Sequence, residues 1–186
     1  YAPLGVGSHL LAWGIPAEKI QELDWWEETQ LNGLKFICTP ARHFSGRALT
    51  DRFKTLWSGW VILADSQKIY FSGDSGYGPH FKDIGDKFGP FDLAMMECGQ
   101  YNQNWSAIHM MPEETVQASL DLKSEILLPI HWGAFSLAFH SWTDPVERAL
   151  KAAEKVGLSV TTPRIGEEIL INTGQYPQSY WWRLVE

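Results

Sequence analysis

Lys68-Ile69-Tyr70-Phe71-Ser72-Gly73-Asp74-Ser75-Gly76-Tyr77-Gly78 reads as a buried strand that runs out into a glycine-rich turn. Ile69 and Phe71 alternate with Tyr70 and Ser72, as a pleated segment requires. Gly73, Gly76 and Gly78 release the backbone for conformations that a side chain would block. Asp74 stands at the strand end among small residues, with no cation beside it in sequence. Such an aspartate either caps the turn or the next helix, or it answers a counter-charge such as a metal ion. The turn alone favours the cap; the rest of the chain favours the metal.

Outward from this stretch, strands and helices alternate. Trp60 to Ala64 pairs with Lys68 to Ser72 as a hairpin through Asp65-Ser66-Gln67. Leu34 to Thr39 is a strand ended by Pro40, and Ala17 to Leu23 is a short helix opened by Pro16. Downstream, Phe81, Ile84 and Phe88 recur at helical spacing before Gly89-Pro90. Phe91 to Cys98 is a buried strand, and a polar loop leads to a helix opened by Pro112 with Glu113 and Glu114 in its first turn. Leu127 to His131 is the next strand. Asp144-Pro145-Val146-Glu147 has the pattern of a capping box; its helix should bury Val146, Leu150, Ala153 and Val156 and end at Gly157. Ser159 to Thr162 and Glu168 to Ile171 read as closing strands. Hairpins mixed with strand–helix units predict an α/β (α+β) domain with a mixed sheet flanked by helices, and no linker divides it.

Composition narrows the function. The 186 residues are 45% apolar and 20% charged, enough for one real core. A net charge of −7 argues against general nucleic-acid binding. Cys38 and Cys98 lie in apolar runs and read as buried thiols, not a disulfide framework. No run is apolar enough to cross a bilayer and no signal peptide is visible, so the expected location is cytoplasmic, or peripheral at a membrane. Ten tryptophans are spread without a repeat; they serve either a layered core or an aromatic surface for sugar or lipid.

The histidines carry the chemistry. His43 follows a strand and a proline, His131 closes a strand, and Asp74 ends the one between them. Chemistry in layered α/β folds gathers where strand ends meet loops, and nitrogen and carboxylate ligands from separate strands suit zinc or a similar divalent metal. No His-x-His or Cys-x-x-Cys pair is present, so a site made from these residues alone lacks ligands.

The runs Thr39-Pro40-Ala41-Arg42-His43-Phe44-Ser45-Gly46-Arg47, Phe71-Ser72-Gly73-Asp74-Ser75-Gly76-Tyr77 and Pro129-Ile130-His131-Trp132-Gly133 resemble the later metal-ligand motifs of the metallo-β-lactamase-fold hydrolases. Within that superfamily they are most similar to the branch of N-acyl-phosphatidylethanolamine-hydrolysing phospholipase D and its bacterial relatives. Glu22 to Glu27, Phe88 to Ala94, and His109 before Pro112-Glu113-Glu114 support the match. The resemblance implies that residues 1–186 are the C-terminal portion of one αββα sandwich, whose upstream half carries a His-x-His-x-Asp-His motif that these residues do not contain. Tyr1 to Val6 reads like the middle of a protein, in keeping with that.

The resemblance further implies two zinc ions at one edge. His43 and His131 would each give one terminal ligand, and Asp74 would bridge the pair and act in catalysis through a metal-bridging hydroxide. Two cations about 3.5–4 Å apart repel, and a shared carboxylate screens them. His109 resembles a loop histidine near the family's substrate; it would polarise a phosphate oxygen or shuttle a proton, with a helix cap as its competing role. Arg42, Arg47, Tyr77 and His109 are the candidates for substrate binding, although salt bridges to Asp51 and Glu27 compete for the arginines. The implied activity is a phosphodiesterase acting on a small-molecule or lipid phosphoester, incomplete in this portion. The implied partners are the other half of the domain and, across a bare apolar sheet face, a second copy as a homodimer. A Trp-rich, non-catalytic carbohydrate- or lipid-binding module is the alternative.

Overall fold

The computed structural model describes every residue except Arg47, Leu49, Ser136, Asn172 and Glu186. A short parallel pair joins β1 (Ala2–Pro3) to β2 (Glu22–Leu23), with α1 (Gly7–Ala12) between them. The remaining strands form one sheet in sequential order: β3 (Glu28–Leu31), β4 (Leu34–Thr39), β5 (Gly59–Leu63), β6 (Lys68–Phe71), β7 (Leu93–Glu97), β8 (Ile126–Ile130) and β9 (Ser159–Val160). β3 to β6 pair antiparallel; β6 to β9 pair parallel. The sheet is therefore mixed, as the interleaved hairpins predict.

Each parallel step crosses over through a helix: α2 (His80–Phe88), α3 (Pro112–Asp121) and α4 (Asp144–Val156). Crossovers of one hand that advance in one direction put their helices on one face of the sheet. Ile37, Val61, Tyr70, Ala94, Met96 and Leu127 point to that face and are buried with Phe81, Ile84, Val116 and Ala153. The opposite pleat carries Phe36, Trp60, Ile62, Phe71 and Met95, each only partly buried, around a shallow apolar hollow with Tyr1.

Four local expectations give way to tertiary contacts. The helix expected over Ala17 to Leu23 is a single 3-10 turn, Ala17–Lys19, because Glu22 and Leu23 pair instead with Ala2 and Pro3. The Asp144 capping box does not form: Thr143 is the N-cap and no side chain caps the helix. Glu147 instead accepts from Trp182 Nε1 and, in a bidentate pair, from Arg183. Val156 lies on the solvent side, 51% exposed. Glu168 to Ile171 is not a strand, and the sheet closes at β9.

The cysteines are free and buried. The tryptophans gather mostly into packed groups: Trp25 on Trp57, and Trp132, Trp142, Trp181 and Trp182 together. Among the described residues no helix is long and apolar enough to cross a membrane.

Candidate metal centre

β4, β6, β7 and β8 run in the same direction, so their C-terminal ends meet at one edge of the sheet. His43 follows β4, Asp74 follows β6, Glu97 ends β7 and His131 follows β8. Topology thus collects side chains that sequence separates widely. His109 enters from the loop between β7 and α3.

Two backbone features aim these groups. Of Gly73, Gly76 and Gly78 in the turn after β6, only Gly73 takes a positive φ, 60°. A Cβ there would stand 2.5 Å from the Ser58 carbonyl oxygen, so the turn that projects Asp74 is closed to other residues. His131 itself has φ 64°. A left-handed non-glycine residue costs about 1–3 kcal/mol and persists where its surroundings impose it, most often at functional sites. The effect is to face its Nε2 toward Asp74 Oδ1 at 3.5 Å.

The imidazoles form a cluster. The His109 ring lies 5.3 Å from that of His131 and nearly parallel to it, and 5.3 Å from that of His43 at a steep angle. Nδ1 of His43 is 2.8 Å from the Phe44 carbonyl. A carbonyl only accepts, so Nδ1 carries the proton and Nε2 is left with a bare lone pair. That Nε2 is buried and has no hydrogen-bond partner. Buried polar atoms without partners are rare, and one placed among imidazoles and a carboxylate fits a metal cation. His43 and Asp74 open onto a cleft of about 550 Å³, also lined by His9, Trp13, Asp51 and Trp57.

Glu97 was not singled out by the sequence. It is fully buried, and its Oε2 lies 3.1 Å from Nδ1 of His109 and 3.6 Å from Nδ1 of His131. Its Oε1 accepts the Met110 N–H. Glu97, His109 and His131 have ligand atoms within 4.8 Å of one another, a grouping among the described residues able to hold a metal; it shares His131 with the expected ligands but includes neither His43 nor Asp74. The legible signal was an acid inside the apolar run Leu93-Ala94-Met95-Met96-Glu97-Cys98, since a buried carboxylate requires a partner. Glu97 raises the pKa of His131 above the ordinary imidazole value; burial opposes this, and Asp74 adds to it.

The other candidates have structural partners. Arg42 Nη1 donates to the Tyr77 carbonyl and its N–H to Ser75 Oγ, which ties the His43 loop to the Asp74 turn. The Tyr77 hydroxyl donates to Asp121 on α3, and its ring stacks on Phe81. That bond, with burial, pushes its phenol pKa up to about 12. Arg47 lies outside the described residues. His80 Nε2 lies 3.2 Å from Ser75 Oγ; burial, then Arg42, lowers its pKa to about 4.

An αβ layer with imidazoles and carboxylates converging at the strand ends defines a class, and comparison with known proteins identifies it. The chain belongs to the metallo-β-lactamase superfamily: residues 1–132 match the beta-lactamase superfamily domain. An uncharacterised Mycobacterium tuberculosis protein is 48% identical over 185 residues, 98% of this chain and 49% of that protein. The N-acyl-phosphatidylethanolamine-hydrolysing phospholipase D 1 of Caenorhabditis elegans is 35% identical over 147 residues, 74% of this chain and 41% of that enzyme. Igni18, a metallo hydrolase of the archaeon Ignicoccus hospitalis, superposes with a TM-score of 0.61 at 22% identity, covering 87% of this chain and 64% of that one. The fold is thus that of the superfamily, and the chain spans about half the length of these curated relatives.

Proposed function

We propose that the protein is a metal-dependent hydrolase, zinc being the preferred ion, and that it acts as a phosphodiesterase on a phospholipid-like or similar phosphoester. His43 and His131 would each give one terminal ligand through Nε2, and Asp74 would bridge the two metals. A dinuclear centre of this kind, when bound, supplies an acidified water and positive charge that stabilises the developing anion. The observation that carries the reading is the buried, partnerless Nε2 of His43 beside the other imidazoles. Similarity to a phospholipase D of N-acyl-phosphatidylethanolamine supports the choice of a phosphoester.

The chain's own groups have distinct tasks. His109 keeps Nδ1 on Glu97, so its Nε2 is the atom available to hold or move a proton at the substrate. The cleft beside His43 and Asp74 has an aromatic wall, Trp13 and Trp57, able to take an apolar portion of a substrate. Further ligands would come from the remainder of the domain, packed on the bare sheet face that carries Trp60 and Phe71.

The test is metal analysis of the full-length protein together with hydrolysis of N-acyl-phosphatidylethanolamine and of a carboxylic ester. Bound zinc and phosphodiester cleavage, both abolished in His43→Ala and Asp74→Ala, are expected. No bound divalent ion, with activity unchanged in both variants, would refute the proposal; cleavage of the carboxylic ester alone would retain the metal and reject the substrate class.

A further inference from the structure

Glu97 is built into the sheet. Its N–H donates to Ser72 Oγ at the end of β6, its carbonyl accepts from Thr115 Oγ1 on α3, and its side chain has no solvent exposure. One carboxylate oxygen takes the Met110 N–H; the other is hydrogen-bonded to Nδ1 of His109 at 3.1 Å and lies 3.6 Å from Nδ1 of His131, a buried atom with no hydrogen-bond partner of its own. An ionised carboxylate only accepts, so an imidazole that meets it must carry its proton on Nδ1. For His109 the consequence is that Nε2 keeps a lone pair and is turned away from Glu97; for His131, which stands between two carboxylates, the same holds when Nε2 and Asp74 Oδ1 share a cation. For His131 that Nε2 is the atom facing Asp74.

We infer that Glu97 is the positioning residue of the site: a single buried carboxylate that sets the tautomer and orientation of two histidines at once, one toward the metal and one toward the substrate. The inference rests on the reading of His131 as a metal ligand. The geometry favours this role over direct ligation by Glu97. Glu97 has no solvent exposure, one oxygen held by a backbone N–H and the other by His109 Nδ1, whereas Asp74 is 46% exposed and opens onto the cleft. A carboxylate behind a ligating histidine raises its basicity and fixes its ring.

Glu97→Gln gives the sharp contrast. The amide keeps an acceptor for the Met110 N–H but turns a donor toward the imidazoles, which forces Nδ1 to accept and moves the proton to Nε2. The experiment is nitrogen-15 imidazole spectroscopy on the full-length protein at about pH 8.5, where unperturbed imidazoles are neutral, with zinc titrated in parallel. The wild type should show Nδ1–H at His109 and His131. Glu97→Gln should move at least one of them to Nε2–H and weaken zinc binding about 10–100-fold. Wild-type spectra with Nε2–H at both rings would overturn the inference, and this needs no variant to fold. So would a Glu97→Gln protein with tautomers and zinc affinity unchanged. A wild type that binds no zinc yet shows both Nδ1–H forms would instead overturn the metal reading and leave the tautomer assignment to Glu97 intact.

Discussion

Nε2 of His131 faces Oδ1 of Asp74 across 3.5 Å, over the end of a strand that carries neither residue. β7 lies between β6 and β8, and the two side chains reach toward each other past its last residue, Glu97. The pairing requires the left-handed backbone at His131 and the turn at Gly73. Asp74→Asn keeps the shape and removes the charge. Losing an outer partner of a metal site costs about 10–100-fold in affinity or activity, and a direct ligand should cost more. Because Asp74 is well exposed, stability should move by less than about 0.5 kcal/mol. Metal content, rate and a thermal melt on one preparation check all three.

Gly99→Ala should disturb the site from behind. A Cβ at this position would meet the His131 carbonyl oxygen at 2.1 Å, and the neighbour is backbone, which cannot swing aside. The expected cost is about 1–3 kcal/mol of stability, read from urea unfolding, together with weaker metal binding as His131 shifts.

His80 makes stability depend on pH. Its folded pKa, about 4, lies below the ordinary value of 6.5, so the folded state prefers the neutral ring. The contribution is complete above about pH 6.5 and is lost as pH falls toward about 4. Acidification from about pH 7 to about pH 5 should therefore cost about 2 kcal/mol from this group. His80→Gln should flatten that part of the profile in denaturant titrations at the two pH values.

Tyr77→Phe separates binding from structure. The hydroxyl donates to Asp121 at 2.6 Å, so its loss should cost about 1 kcal/mol of stability. With the hydroxyl held on α3, KM and kcat should stay within about twofold, less than about 0.5 kcal/mol. A large rise in KM would instead restore Tyr77 as a substrate contact.

The sheet face opposite the helices presents Phe36, Trp60, Ile62 and Phe71 to solvent in part. The 186-residue chain by itself should self-associate across it. Size-exclusion chromatography should show a dimer or larger species, and Ile62→Lys with Phe71→Lys should shift it toward the monomer.

Local pattern determined much of this protein. Alternation fixed β4, the β5–β6 hairpin and β6 as strands, because period-two burial leaves few other solutions. Helical spacing and terminal glycine and proline fixed α2, α3 and the end of α4 at Gly157, whose φ is 71°. His43, Asp74 and His131 were each legible as strand-end residues because each follows a strand that the pattern reveals, and the structure brings two of them, Asp74 and His131, face to face. Tertiary contact decided the rest. Glu147 left its capping box for Arg183 and Trp182, and Glu22–Leu23 left its helix for a strand partner, both remote in sequence. Glu97 became the centre of the histidine cluster only when parallel pairing set β7 between the strands of Asp74 and His131. A sequence states which strand end a residue occupies; which ends share an edge, and which buried oxygen faces which nitrogen, depends on long-range pairing that short-range periodicity does not encode.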